Sequence, residues 1–163
     1  MNDTIRNRNI GARQVALGGL FAACVTAATL LSVPLPGFRL YFNLGEGIIY
    51  TIALTRGPFY GAAAGGIGAS LADLILGYPL WAPFTLVIKA LEGFLVGSLR
   101  KNRLLALAVG MSVMIAGYTT LAGLLYGWKA APVEFLTDVL QTSIGAGVAL
   151  LLTKALERLA RKS

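Results

Sequence analysis

Apolar positions run along this chain in long blocks, broken by short polar or Gly/Pro-rich stretches. The blocks can be cut into six, roughly 14–33, 42–55, 57–77, 80–99, 104–127 and 133–156. A helix that crosses a bilayer needs about 20 mostly apolar residues. The pattern therefore predicts an all-α integral membrane protein, a six-transmembrane-helix bundle forming one transmembrane domain over residues 1–163. The second block is short and is expected to start in a partly buried loop. Between the first two blocks, residues 32–44 read SVPLPGFRLYFNL, and two prolines and a glycine forbid a regular helix there. Phe38, Tyr41 and Phe42 resemble an interfacial aromatic belt, in a segment that fits either a cover over an outward pocket or an anchored connector. The first block is too long for the apolar core of a signal peptide and reads as a helix.

The exceptions inside these blocks carry the chemistry. Glu46, Asp73, Lys89 and Glu92 interrupt the otherwise apolar stretch 44–97. An ionisable group within a membrane segment costs on the order of 2.5–3.5 kcal/mol on the lenient insertion scale, so it usually faces a cavity or a partner. In the fourth block Trp81, Thr85, Lys89 and Glu92 share one helix face, and Glu134, Asp138 and Gln141 form a similar stripe in the sixth. The fifth block adds little beyond Met114, Tyr118 and Tyr126. In a six-span topology these polar groups converge on the external half of the bundle, and apolar walls with a few placed polar groups describe a small-molecule pocket. Simpler roles stand beside that one. Lys89 and Glu92, three residues apart, can neutralise each other; Glu46 can cap a helix start; Trp81 and Trp128 can anchor at the interface. Asp73 and Glu134 lie near enough to the interface to be solvated, which is the reading adopted for Glu134. Asp138 lies one turn deeper.

Composition and charge narrow the class. The chain is 56% hydrophobic and only 13% charged, which leaves no room for a soluble domain. Its net charge of +7 would suggest nucleic acid in a soluble protein. Here Arg6, Arg8, Arg13, Arg56, Arg100, Lys101, Arg103, Lys154, Arg158, Arg161 and Lys162 all fall on one side of a six-span arrangement, against Arg39 and Lys129 on the other. The positive-inside rule then makes both termini cytoplasmic, and no nucleic-acid partner is expected. No GxxxxGK[ST] loop is present, and Gly65-Gly66-Ile67-Gly68 follows no strand, so neither nucleotide motif applies. With no histidine, no metal site and no activated nucleophile in view, an enzyme is the least favoured class, and no cofactor is expected. Cys24 stands alone in an apolar helix, so no disulfide framework exists.

Small residues recur on the first helix at Ala12, Ala16, Gly19, Ala23 and Ala27, in steps that keep them on one narrow stripe. Such seams let helix backbones approach closely in lipid. This one serves either a neighbour in the same chain or another subunit. Gly61, Gly65 and Ala69 form a second seam in the third block.

The segment LGEGIIYTIALTRGPFYGAAAGGIGASLADLILGYPLWAPFTLVIKALEGFLVG resembles the substrate-binding S components of energy-coupling factor (ECF) vitamin transporters. The likeness lies in a short second span, a third span of the form GPxxGAxxGxxGxxLxDLxxG, and an aromatic-Pro-hydrophobic fourth span ending in LEGFLVG. The seam on the first helix looks like the family's docking motif. What the resemblance implies is a high-affinity receptor in the cell membrane of a prokaryote. It would bind a vitamin near the outer face and deliver it through a transmembrane coupling subunit and two ATPase subunits. Under it, Glu46, Asp73, Thr85, Lys89, Glu92, Asp138 and Gln141 are candidates for substrate binding, joined by Asn43, Trp81 and Tyr118, while Ala12, Ala16, Gly19, Ala23 and Ala27 would face the coupling subunit. The absence of histidine, with a single cysteine read as buried, argues against the nickel and cobalt branch. More carboxylates than cations disfavour a polyanion such as a folate. A neutral or weakly basic heteroaromatic fits best, of the pyridoxine or hydroxymethylpyrimidine type, with riboflavin an outside candidate. Two other classes remain: a stand-alone proton-coupled secondary carrier, in which Asp73, Glu92 or Asp138 titrates, and a non-transporting membrane scaffold.

Overall fold

The computed structural model describes residues 11–31, 33–35 and 40–161. Six helices follow one another: α1 (Ala12–Leu30), α2 (Gly45–Arg56), α3 (Pro58–Ile75), α4 (Ala82–Ser98), α5 (Arg103–Tyr126) and α6 (Ala131–Ala160). Between α1 and α2 the chain makes a short antiparallel ribbon, β1 (Val33–Leu35) on β2 (Leu40–Phe42), with Pro34 opposite Tyr41. Phe38 and the charges at Arg6, Arg8, Arg39 and Lys162, used above for the aromatic belt and the charge asymmetry, lie outside the described residues.

Local chemistry sets the helix ends. Pro58, Pro83 and Pro132 stand in the first turns of α3, α4 and α6, where no intrahelical N–H bond is required. Asn102 caps α5, its side chain accepting from the Leu105 N–H at 3.2 Å. α2 passes directly into α3 through Gly57, whose φ of 96° lies in the region that favours glycine. Three helices, α1, α5 and α6, are long and apolar enough to cross a membrane by length and composition. α2 is much shorter: its 12 residues reach about 18 Å at 1.5 Å per residue.

α2 is the hub. It packs on α1, α3, α4 and α6, and nine of its residues are buried. Ile49, Tyr50 and Ala53 join Val25, Ala64, Val96, Ala106 and Ala149 in the core. The glycines of α3 are the reason its neighbours come so close. A Cβ on Gly61 would stand 2.5 Å from the Gly93 carbonyl oxygen, and one on Gly65 would stand 2.7 Å from that of Lys89. Gly68 faces α1 instead, 2.6 Å by the same measure from the Ala22 carbonyl oxygen, and Thr26 Oγ1 donates across the same contact to the Gly68 carbonyl at 2.8 Å. The Gly65–Gly68 run is thus a packing surface for two helices.

α1 meets the bundle through Ala22, Val25 and Thr29. Its small-residue stripe points elsewhere: Ala12, Ala16, Gly19, Ala23 and Ala27 are all exposed, and nothing lies within 4 Å of where a Gly19 Cβ would be. The seam is therefore not what packs α1 onto its own chain. Cys24 shares this outward surface; it is exposed, which corrects the reading of it as buried.

At one end of the bundle the basic residues gather. The Arg100 guanidinium reaches the Gly57 turn, Arg56 lies 5.9 Å from the centre of the Phe21 ring, and Arg103 pairs with Glu157.

Candidate functional site

A cavity of about 640 Å³, counted out to its open mouth, lies between α2, α3, α4, α5 and α6. Each contributing helix turns a polar face inward because the opposite face is needed for lipid or for the glycine contacts just described.

The floor is an ion cluster. Lys89 of α4 sits with its ammonium between two carboxylates, paired with Glu46 of α2 and, at 3.0 Å, with Glu92 one turn further along α4. All three are at least 96% buried. The mutual neutralisation of Lys89 and Glu92 is therefore real, and Glu46 shares in it. Tyr50 donates to Glu92 Oε1 at 2.6 Å from below. Above, Gln141 of α6 donates through Nε2 to Glu46 Oε1 at 3.2 Å, while its Oε1 accepts from the Asn43 backbone N–H at 3.1 Å and from Asn43 Nδ2 at 3.3 Å. Asn43 in turn accepts from the Gly45 N–H at 2.8 Å, fixing the first turn of α2. A continuous polar chain thus runs from the base of the β-ribbon to the centre of the bundle. Glu46 belongs to it, beyond any capping role.

An aromatic wall stands beside the floor. Trp81 stacks on Tyr118 with ring centres 5.9 Å apart and planes inclined by 26°. Its indole N–H donates to Tyr126 at 2.9 Å, and Tyr118 donates to Thr85 Oγ1 at 2.9 Å. The Lys89 ammonium lies 5.3 Å from the Tyr118 ring centre, within cation–π range. Trp81 is 6% exposed and faces the cavity, unlike Trp128 at 68%.

The third wall belongs to α3 and α6. Asp73 of α3 and Asp138 of α6 line the cavity and are buried, and Glu134, one turn before Asp138, lines it too. At 6% exposure Glu134 is buried in the cavity wall, which corrects the expectation of a solvated interfacial carboxylate. Asp138 Oδ2 has no hydrogen-bond partner among the described residues.

Of the ten residues singled out from the sequence, nine line this cavity; Glu92 lies behind Lys89, out of the lining. Met114, noted in the fifth block, lines it as well, and so do Thr29, Tyr78 and Thr137, which were not singled out from the sequence. Thr137 had a usable signal, since it completes the Glu134, Asp138, Gln141 stripe at helical spacing. Thr29 is a polar residue on the α1 face opposite the small-residue seam. Tyr78 carried none.

Comparison with known proteins gives the chain's relatives. A family model described as the ECF-type riboflavin transporter S component matches residues 9–158. An uncharacterised protein of Pyrococcus woesei is 42% identical over 141 residues, 80% of this chain and 95% of that one. The thiamine precursor transporter HmpT of Lactococcus lactis is 30% identical over 155 residues, 93% of this chain and 91% of HmpT. A UPF0397 protein of Streptococcus pneumoniae is 28% identical over 89 residues, 55% of this chain and 48% of the relative.

Proposed function

Since this chain belongs to the family of ECF-type riboflavin transporter S components, a family of membrane transport subunits rather than enzymes, we propose that it is the high-affinity receptor for a small heteroaromatic vitamin or vitamin precursor. The observation that carries this reading is the cavity itself. An ion cluster, an aromatic wall and a carboxylate wall converge in the interior of a bundle whose outer surface is aliphatic. Membrane proteins keep ionisable groups at such depth for a substrate path or a partner. The similarity to a thiamine precursor transporter supports a single heteroaromatic ring of the hydroxymethylpyrimidine or pyridoxine type, and the riboflavin family match keeps riboflavin in the comparison.

In this reading all six helices lie in the cell membrane with both termini cytoplasmic. The gathering of Arg56, Arg100 and Arg103 at one end supports that orientation. The mouth of the cavity then faces outward, and the β-ribbon, joined to α6 through Asn43 and Gln141, borders the ligand. The exposed stripe Ala12, Ala16, Gly19, Ala23 and Ala27 is free to receive the transmembrane coupling subunit, and two ATPases supply the energy.

The test is vitamin uptake by cells that express this chain with or without an ECF coupling subunit and its ATPases. Uptake is expected only with the complete set and is lost when ATP hydrolysis is blocked by mutation of the ATPases. Uptake by this chain alone, driven by a pH gradient, would identify a secondary carrier and overturn the proposal.

A further inference from the structure

The cavity's donors and acceptors are unequally engaged. Lys89 donates to Glu46 and is ion-paired with Glu92, and Gln141 Nε2 donates to Glu46, Asn43 Nδ2 to Gln141, Trp81 Nε1 to Tyr126 and Tyr118 to Thr85. The donors of the wall are thus directed at other residues of the protein. Acceptors are in surplus: Asp138 Oδ2 and Glu46 Oε2 are buried without a partner among the described residues. Asp138 is only 4% exposed, and Glu134 precedes it by one helical turn on the same wall, with no ion-pair partner among the described residues. At that spacing Cβ atoms lie about 5–6 Å apart, close enough for one nitrogen-bearing group to meet both carboxylates. A carboxylate left buried and unpartnered is costly, and an ionised one only accepts hydrogen bonds.

From this imbalance, and resting on the receptor reading above, we propose that the ligand presents an amine, or a ring amino group beside a protonatable ring nitrogen, to Glu134 and Asp138. An amino group adjacent to a protonated ring nitrogen offers two parallel N–H donors, the pattern that matches a carboxylate in a bidentate way. The aromatic ring of the ligand then lies toward Trp81 and Tyr118. The edge of a flavin offers the opposite pattern, one N–H flanked by two carbonyl oxygens, and those oxygens would find no donor in an ionised carboxylate. A phosphorylated ligand is disfavoured more strongly, because Lys89, the cation in the lining, already balances Glu46 and Glu92. The subsite thus selects amino-bearing heteroaromatics over both neutral flavins and phosphate esters.

The full chain, purified in mild detergent, is titrated with two pairs: pyridoxamine against pyridoxine, which differ only by an amine for a hydroxyl, and an amino-substituted hydroxymethylpyrimidine against riboflavin. The amino-bearing member of each pair is expected to bind at least about tenfold more tightly. Asp138→Asn is expected to weaken it on the order of 10–100-fold, the usual range for one charge-assisted hydrogen bond. Glu134→Gln should act in the same direction, so a folding defect in either variant leaves the other to decide. Preference for riboflavin or pyridoxine, or unchanged amine affinity in the folded variants, overturns the inference while leaving the receptor reading intact. If none of the four binds, the inference falls, and whether any ligand co-purifies decides if the receptor reading falls with it.

Discussion

Replacing Lys89 by methionine removes one buried ammonium and leaves two buried carboxylates facing each other. Methionine preserves the length and flexibility of the side chain, so the change is mainly electrostatic. Lys89 is 4% exposed, Glu46 1% and Glu92 0%, so little solvent screens the two carboxylates from each other. Deleting one partner of a buried ion pair costs about 3–5 kcal/mol, and here one cation serves two anions. For proteins of 150–250 residues each kcal/mol moves the unfolding midpoint by about 2–4 °C, so the loss amounts to roughly 6–20 °C. Thermal unfolding in mild detergent, followed by the monodisperse fraction on size exclusion, measures it. The triple variant Glu46→Gln/Lys89→Met/Glu92→Gln, with the charges removed together, is expected to regain more than half of the loss. A single variant that melts within about 2 °C of the parent, less than the smallest shift that 1 kcal/mol produces, would refute the reasoning. So would a triple variant no better than the single.

Other substitutions probe the remaining surfaces. Ala16→Trp and Ala23→Trp should abolish co-purification with the coupling subunit while leaving ligand affinity within about twofold, under 0.5 kcal/mol; assembly retained in both removes the docking role of the stripe. Gly61→Val should yield no monodisperse protein, since even a Cβ there would stand 2.5 Å from a backbone oxygen, whereas Gly18→Ala, with nothing within 4 Å, should be silent. Both tryptophans fluoresce, but only Trp81 faces the cavity. Ligand-induced quenching should therefore survive Trp128→Phe and vanish in Trp81→Phe; the reverse pattern would place the ligand elsewhere.

The six helices were legible because lipid exposure forces apolar residues into long blocks, and the breaks between blocks carry Pro58, Pro83, Asn102 and Pro132 near helix starts. The polar residues of the cavity were legible for the complementary reason: an ionisable group among aliphatic neighbours has few places to be. Partnership was harder to read. Glu46 and Lys89 are 43 residues apart, and nothing local announces that they pair. Glu92 lies behind Lys89 because Tyr50 of α2 holds it there, a tertiary contact without a sequence signature. Glu134 was misjudged because proximity to a helix end suggests solvent, whereas the end of α6 forms the rim of a cavity. Cys24 was misjudged because an apolar neighbourhood suggests burial, which in a membrane protein is equally the mark of an outward face. The α1 stripe shows the same ambiguity, since small residues suit a neighbour in the same chain as well as one in another. The short β-ribbon was not anticipated beyond the exclusion of helix, because three-residue strands offer no periodicity to read.

The receptor role requires that the cavity hold a vitamin-like ligand. Rapid purification in mild detergent, followed by denaturation and mass spectrometry of the released small molecules, tests that directly. The expected result is one heteroaromatic, amino-bearing compound near one equivalent per chain, lost when Asp138 and Glu134 are both neutralised. A chain that releases nothing, and whose unfolding temperature is unmoved by any member of a broad vitamin panel, would contradict it.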